Sequence, residues 1–243
     1  MTAGLPDMEK SMEVIRAQEE AGTDIIELGV PFSDPVSDGP VIQAASYKAI
    51  TQGVTVTGVL DMVKQVRAKG CEIPIIFMMY YNTIFYYGLQ RFVMDCALAG
   101  VDGLIIPDLP IEEQGDLKEQ LTRCEDAPIL IQLISPVSKE RIPKILDGAR
   151  GFVYCVSAMG VTGQQATFHE EVIHYLEEVK KVSKIPLMMG FGIRNAQDVE
   201  PMKDVIDGAI VGSHFITLME ENNYDLPVIK EYCSKMKEGL NLR

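Results

Sequence analysis

The chain repeats one local pattern, in which a short apolar run is followed by a segment with helical spacing. Nearly continuous apolar runs are typical of strands that are buried on both faces. A strand followed by a helix, repeated many times, requires parallel strands joined by crossover helices. The sequence therefore predicts an α/β fold. Seven such runs can be counted: Ile25–Gly29, Ile73–Tyr80, Gly103–Asp108, Pro128–Ile134, Gly151–Val156, Pro186–Gly192 and Gly208–His214.

The segments between these runs carry apolar residues spaced three and four positions apart, which predicts amphipathic helices. Three examples are Met8, Met12 and Ile15; Val59, Val63 and Val66; and Phe92, Cys96 and Ala99. Each of the three segments is followed by a glycine, at Gly22, Gly70 and Gly100. Glycine after a helical segment is a common stop signal.

The length of 243 residues fits one barrel domain, and no linker, charge block or low-complexity stretch divides the chain. A closed (β/α)8 barrel of the TIM type needs eight strands. Only seven runs are present, and the sequence opens at the point where the first strand should already have ended. We predict one domain over residues 1–243, a barrel whose first strand is apparently missing. An open seven-stranded sheet is the alternative.

Composition excludes several functional classes. The net charge is −13, from 22 basic and 35 acidic residues, so neither nucleic acid nor an anionic membrane is an expected partner. The five cysteines are scattered and the three histidines show no ligand spacing with them, so we expect reduced thiols and no metal site. The sequence shows no signal peptide and no membrane-spanning stretch, and we expect a cytoplasmic protein.

Two acids stand out in "DIIELGVPFSDPVSDGP", residues 24–40. Glu27 lies inside the first apolar run, and Asp38 lies in the proline-bounded loop that follows it. Functional groups of parallel barrels collect where strands end, so both acids can face one pocket. Such a pair suits acid–base chemistry, with the less solvated Glu27 expected to have the higher pKa. Structural acids that pair with arginine or cap a helix remain the alternative.

Glycine-rich turns follow three of the late strands: "GVTG" (Gly160–Gly163), "GFGI" (Gly190–Ile193) and "GS" (Gly212-Ser213). Glycine lets the backbone approach a ligand closely, and barrels bind phosphate at their last strand–loop junctions. One such turn would be a weak signal. Three in succession predict an anion site at these turns.

The chain closely resembles the α subunit of tryptophan synthase. The motif "ELGVPFSDPVSDGPVIQ" is the most specific part of the likeness, and "IIPDLPIEE", "GVTG", "GFGI" and "GS" follow in the order typical of that family. The resemblance covers nearly the whole chain from Thr2. It implies reversible cleavage of indole-3-glycerol phosphate to indole and glyceraldehyde 3-phosphate. It also implies an α2β2 assembly with a β subunit that uses pyridoxal phosphate, whereas this chain needs no cofactor.

The resemblance also assigns roles to individual residues. Glu27 and Asp38 stand at the positions of the two catalytic acids, the first cycling a proton and the second stabilising positive charge on the ring nitrogen. By the same resemblance, the turns that bind the substrate and its phosphate include Gly163, Gly190, Gly192, Gly212 and Ser213. Tyr154 matches a pocket tyrosine, and Phe191 matches a residue beside the indole. Asp108 matches an acid near the contact with the β subunit.

The sequence departs from the family at its start. Family members carry a helix and a strand before the "TAGLPD" turn, at which this sequence begins, so two unpaired edges are expected, one of them beside the first run. Two other functions stay open at this point. One is a non-catalytic partner that activates a β subunit, and the other is a related phosphate-binding barrel with another substrate.

Overall fold

Parallel pairing of short apolar strands organises the chain, as the sequence predicts. The computed structural model describes residues 1–156, 165–190 and 192–240. These ranges contain two four-stranded parallel sheets, ordered β1-β2-β3-β4 and β5-β6-β7-β8. The strands are β1 Ile26–Gly29, β2 Ile75–Met78, β3 Gly103–Ile105, β4 Ile129–Leu130, β5 Gln132–Ile134, β6 Val153–Cys155, β7 Leu187–Met189 and β8 Gly208–Ala209.

All seven predicted apolar runs contain strand structure. The fourth run, Pro128–Ile134, differs from the prediction because it forms two strands, β4 and β5, on either side of Ile131. β4 pairs with β3, whereas β5 pairs with β6. The seven predicted strands therefore become eight within the described ranges. The fourth run supplies the last strand of one sheet and the first strand of the other.

The predicted helices also form, and their ends are capped as the sequence indicates. Asp7 accepts a hydrogen bond from the backbone N–H of Lys10 (2.7 Å) and caps α1. Gly100 ends α5 in the left-handed conformation, which favours glycine. No helix in the described ranges is both long and apolar enough to cross a bilayer. The helices are α1 Met8–Glu20, α2 Pro40–Thr51, α3 Val56–Ala68, α4 Tyr81–Tyr87, α5 Leu89–Ala99, α6 Gly115–Arg123, α7 Ile142–Leu146, α8 Gln165–Val182, α9 Ser213–Glu221 and α10 Leu226–Leu240.

The chain divides into two compact units. Unit 1 comprises Met1–Leu130 and Phe215–Lys235, and unit 2 comprises Ile131–His214 with the segment that begins at Met236. The core of unit 1 is built from the apolar stripes predicted for α3 and α5 and from the β2 residues Ile75 and Phe77. The assignment of residues 1–243 to one barrel domain stays a prediction.

The edge of β1 is not as empty as the sequence predicts. Thr2 forms a parallel bridge with Gly29. The backbone N–H of Ala3 donates to the carbonyl oxygen of Gly29 (2.9 Å), and the N–H of Gly29 donates to that of Met1 (2.7 Å). The first three residues therefore occupy part of this edge, because their extended backbone offers the ladder groups that β1 requires.

Strand β1 presents its glutamate on a different face from its aliphatic residues. Ile26 and Leu28 are buried, whereas Glu27 between them keeps part of its exposure. Successive side chains of a strand point to opposite faces, so the packing of Ile26 and Leu28 directs Glu27 to the other side of the sheet. This alternation places a carboxylate in the strand without burying it in the aliphatic core.

Candidate active site

Glu27 lies in the middle of β1, where its backbone pairs with Ile76 of β2. Burial raises the pKa of its carboxyl, the nearby ammonium group of Met1 opposes this rise, and the charge of Asp38 adds to it. The same ammonium group donates a hydrogen bond to the backbone oxygen of Glu27 (2.8 Å). A raised pKa allows this carboxyl to hold a proton at a higher pH than an ordinary glutamate.

Asp38 lies in the loop between β1 and α2, immediately before the glycine that caps α2. The side chain of Gln43, one turn into α2, donates from Nε2 to the backbone oxygen of Asp38 (2.7 Å). Burial raises the pKa of the Asp38 carboxyl, and a hydrogen bond from the side chain of Tyr80 acts in the opposite direction. The helix therefore anchors the backbone of Asp38, while the Tyr80 hydroxyl opposes the rise in the pKa of its carboxyl.

The structure brings Glu27 and Asp38 close enough for the charge of one to affect the other. The effect of Asp38 on the pKa of Glu27 is direct electrostatic repulsion between two carboxylates. Two interacting carboxyls whose surroundings differ can hold different protonation states at one pH. The arrangement suits a pair in which one acid carries a proton and the other carries a charge.

Tyr154 of β6 packs against the backbone at Gly190, just beyond the end of β7. A Cβ atom at Gly190 would lie 2.5 Å from the hydroxyl oxygen of Tyr154 and 2.7 Å from two of its ring carbons. No side chain other than hydrogen fits there while the tyrosine keeps its position. The sequence places both residues among the substrate contacts, and the structure shows that one depends on the other.

Gly192 and Gly212 differ from Gly190 because both face open space. Apart from its own chain neighbours, a Cβ atom at either position would meet no atom of the described residues within 4 Å. Gly192 has a φ angle of +68°, a conformation that glycine adopts readily. Gly212 directly precedes Ser213, the first residue of α9, whose N-terminal N–H groups can bind an anion. Unoccupied space above glycine backbone is what a phosphate-binding turn requires.

Two predicted site residues, Gly163 and Phe191, lie outside the described residues, as does the rest of the "GVTG" turn. Their proposed contacts with phosphate and with the indole ring stay predictions. Among the described residues, no group of three or more His, Cys, Asp or Glu side chains is arranged to hold a metal ion.

Asp108 follows β3 and is exposed. Its Oδ1 atom accepts a hydrogen bond from the backbone N–H of Tyr81 (2.9 Å), the first residue of α4. The acid therefore holds the start of a helix that carries two strongly exposed aromatic residues, Phe85 and Tyr86, with 66% and 94% of their surface exposed. Large exposed aromatic side chains are enriched at protein–protein contacts.

Sequence analysis did not single out Tyr80 as a site residue, because its place at the end of the apolar run Ile73–Tyr80 predicts a core residue. The structure agrees that its ring is buried, but its hydroxyl contacts the loop that carries Asp38. A polar tip on a tyrosine at the end of a barrel strand was the available signal. That signal is common to many structural tyrosines and cannot identify a contact 43 residues away in the sequence.

Comparisons with known proteins agree on one family. The family model described as "Tryptophan synthase alpha chain" matches residues 1–241. The tryptophan synthase alpha chain of Lachnospira eligens is 59% identical over 240 residues, covering 99% of this chain and 91% of the relative. The tryptophan synthase alpha chain of a Thermoanaerobacter species is 42% identical, and the match covers 99% of this chain and 92% of that relative.

Two solved structures extend this likeness to three dimensions. Tryptophan synthase subunit alpha from Legionella pneumophila has a TM-score of 0.88 and 34% identity, covering 99% of this chain and 90% of that one. A chain of the tryptophan synthase α2β2 complex from Pyrococcus furiosus has a TM-score of 0.88 and 29% identity. The match covers 98% of this chain and 96% of that one.

Proposed function

The chain belongs to the tryptophan synthase alpha chain family, and from this membership we propose which of its residues carry out the reaction. It is a carbon–carbon lyase of tryptophan biosynthesis, which cleaves indole-3-glycerol phosphate to indole and glyceraldehyde 3-phosphate. Its fold class is the α/β barrel of its structural relatives. The observation that carries the proposal is the placement of Glu27 in β1 and of Asp38 in the loop that follows, near enough that the charge of Asp38 adds to the rise that burial causes in the pKa of Glu27.

Cleavage requires two proton movements. The ring carbon that bears the side chain must gain a proton so that indole can leave. The hydroxyl group on the adjacent carbon must lose its proton as the carbon–carbon bond breaks and the aldehyde forms. One carboxyl group can serve both steps, because it gives its proton to the ring and regains one from the hydroxyl. We assign this cycle to Glu27, whose raised pKa favours the protonated starting form.

Asp38 has a different role in the proposal. When the ring carbon is protonated, the ring nitrogen gains positive character, and a fixed negative charge beside it lowers the energy of that state. The hydrogen bond from Tyr80 favours the charged form of Asp38, which this task needs. The two acids therefore divide the work, since one exchanges a proton while the other keeps its charge.

We assign the phosphate group of the substrate to the late glycine turns. Gly192 and Gly212 supply open backbone, and Ser213 supplies the start of α9. Backbone N–H groups at a helix start bind phosphate through hydrogen bonds and through the partial positive charge of the helix end.

Gly212→Asp is expected to raise the KM for indole-3-glycerol phosphate by about tenfold or more. A carboxylate within about 4 Å of phosphate opposes binding by roughly 1–4 kcal/mol, depending on solvent screening. The fold should tolerate the change, because a Cβ at this position would meet no neighbour in the part of the chain that the structure describes. Steady-state kinetics of indole release would measure the effect.

Gly115→Asp is the matched control, because Gly115 likewise lies at the start of a helix and, among the described residues, a Cβ there would also meet no atom within 4 Å. Its KM should stay close to that of the parent. Equal KM values for the Gly212 variant and this control would remove the turn from the phosphate site.

The proposed chemistry uses only side chains of this protein, and we assign no cofactor to this chain. We infer that pyridoxal phosphate belongs to the β subunit, which receives the indole in an α2β2 assembly like that of the Pyrococcus furiosus relative. The cytoplasm is the proposed compartment, and the five free cysteines suit its reducing conditions.

The contact with the β subunit is proposed at the α4 face, which we define as Phe85 and Tyr86. Asp108 supports this face by bonding the first N–H of α4. Tyr86→Asp should weaken binding of the β subunit about tenfold or more, since an interface tyrosine that acts as a hot spot costs about 2 kcal/mol or more when it is removed. Calorimetric titration of the β subunit would measure this.

Tyr47→Asp provides the comparison for that experiment, because Tyr47 is a similarly exposed aromatic residue on α2. It should bind the β subunit like the parent. If both variants bound equally well, the α4 face would not be the contact.

Indole formation from indole-3-glycerol phosphate by the purified chain, without any β subunit, tests the proposed function directly. A measurable rate that depends on both acids supports a catalytic chain. A complete absence of indole at high enzyme concentration would instead favour a purely regulatory partner.

A further inference from the structure

Four residues of the second sheet form one row across its strands. Leu133 of β5 pairs with Tyr154 of β6, Tyr154 pairs with Met188 of β7, and Met188 pairs with Gly208 of β8. Residues that pair in this way lie side by side on one face of a parallel sheet. Met188 is therefore the neighbour of Tyr154, the tyrosine that the proposed function places in the substrate pocket.

The face that carries this row is less completely covered than the opposite face. Leu187 and Met189, which flank Met188 and point to the other side of β7, are 0% and 2% exposed. Met188 between them keeps part of its exposure, and Leu133 does the same on β5. The protein therefore fills the space on one side of these strands and leaves accessible surface on the side of the row.

Met188 lies along the sheet and over its neighbour on β8. A Cβ atom at Gly208 would lie 2.4 Å from the Sδ atom of Met188 and 3.3 Å from its Cε atom. The thioether thus occupies the place that the side chain of any other residue at position 208 would take. Tyr154 leans in the same direction, over Gly190 at the end of β7. Both large side chains of the row therefore lie along the sheet, each above a glycine.

The chemistry of the row suits a flat apolar ring. Leu133 supplies an aliphatic surface, Tyr154 an aromatic one and Met188 a polarisable thioether, which makes favourable contacts with aromatic rings. The row also lies below the proposed phosphate turns. Gly190 follows Met188 by two residues on β7, and its N–H continues the ladder by donating to the carbonyl oxygen of Cys155 (3.1 Å).

We propose that Met188 is a specificity-determining residue, whose thioether contacts the indole ring of the substrate and limits the size of the ring that the site accepts. The inference rests on the proposed function, because that function supplies the ring. Gly208 has a supporting role, since its missing side chain lets the thioether lie against the sheet and outside the space of the ring.

Met188→Ala tests the contact, because it removes the thioether and enlarges the space beside Tyr154. The substrates are indole-3-glycerol phosphate and analogues that carry one methyl group at each open position of the six-membered ring in turn. At one position or more, the kcat/KM of the analogue relative to that of the parent substrate should rise about tenfold or more, since one methylene in an apolar pocket changes discrimination by about 10–200-fold. Competition between the two substrates in one reaction gives this ratio directly, whatever fraction of the enzyme is folded.

Met189→Ala is the matched control, because it removes the same side chain from the next residue of β7 on the opposite face. It should leave the substrate ratio within about twofold of the parent. A Met188→Ala enzyme with the parent's ratio at every ring position, or the same change in both alanine variants, would overturn the proposal.

Gly208→Ala tests the supporting role of the glycine. Its added methyl group would displace the Sδ atom of Met188 from the sheet into the space of the ring. The kcat/KM for indole-3-glycerol phosphate should fall about tenfold or more. The double variant Gly208→Ala/Met188→Ala should recover to within a few-fold of Met188→Ala alone. A loss that persists in the double variant would show that the alanine disturbs the sheet and does not act through the thioether.

A binding measurement separates this inference from the proposed function. The chain contains no tryptophan, so the fluorescence of indole itself can report its binding without a background from the protein. The ratio of the dissociation constants of indole and a methylindole should change in Met188→Ala in the same direction as the kinetic ratio. A parent chain that releases no indole but shows this binding preference would contradict the proposed function alone. A parent chain that releases indole, with no effect of Met188→Ala on either ratio, would contradict the inference alone.

Discussion

Glu27→Gln should reduce indole formation from indole-3-glycerol phosphate by about 10²–10⁴-fold, the usual contribution of a general acid–base group. Glutamine keeps the size and the hydrogen-bonding capacity of glutamate, but it cannot give up and regain a proton at this step. The loss should fall on kcat, because the proposed phosphate contacts are unchanged. Single-turnover measurements at saturating substrate would separate the chemical step from binding.

Glu19→Gln is the control for this substitution. The Glu19 carboxyl accepts hydrogen bonds from the backbone N–H groups of Glu72 (2.7 Å) and Ile73 (2.8 Å), so it is a structural acid of the same unit. Its replacement should lower the melting temperature and leave kcat within a few-fold of the parent. A Glu27→Gln enzyme with near-normal turnover would exclude the proton cycle assigned to that residue.

Asp38→Asn should lower kcat by about 10²–10³-fold, because it removes the negative charge that offsets positive charge on the ring nitrogen. Asparagine has the same shape, so the loop should keep two hydrogen bonds. One runs from the Gln43 side chain to the backbone oxygen of residue 38, and the other runs from the backbone N–H of Ser37 to the Tyr80 hydroxyl. The acidic limb of the pH–kcat profile should also disappear, since no group with that role remains to be protonated. A pH–rate series on the purified variant would show both effects.

Asp34→Asn tests whether the loop as a whole, rather than the charge of Asp38, is responsible. Asp34 lies four residues earlier in the same loop and is exposed, and it accepts a hydrogen bond from the Ser33 hydroxyl (2.5 Å). When the purified chain is assayed without a β subunit, Asp34→Asn should change kcat by no more than a few-fold. Equal losses for the two asparagine variants would indicate a disturbed loop and not a missing charge.

The strands, the helices and the acidic pair could be predicted because each depends on residues that are close in sequence. The apolar stripe of α3 is present in Val59, Val63 and Val66, and all three are buried. Glu27 and Asp38 could be singled out because an acid inside an apolar run and a second acid in the following stiff loop are unusual, and the motif around them is specific to one family.

Contacts between distant segments could not be predicted in the same way. The division of Pro128–Ile134 into β4 and β5 depends on which strands pair with each half, and its apolar pattern is continuous. The need for glycine at position 190 comes from Tyr154, which lies 36 residues earlier and packs on it. Tyr80 ends an apolar run and therefore looks like a core residue in the sequence. Only its position beside Ser37 and Asp38 in the folded chain relates it to the site.

The amino-acid sequence by itself determined the alternation of strands and helices, the family and the identity of the two acids, because periodicity and motifs are properties of neighbouring residues. Only the tertiary structure decided how those acids are held. The pKa of a carboxyl depends on burial and on the charges and donors around it, and these come from segments that the fold brings together. Asp38 receives its backbone anchor from α2, and the hydroxyl that opposes the rise in its pKa comes from Tyr80, the residue before α4. Neither contact can be calculated before the strands have paired.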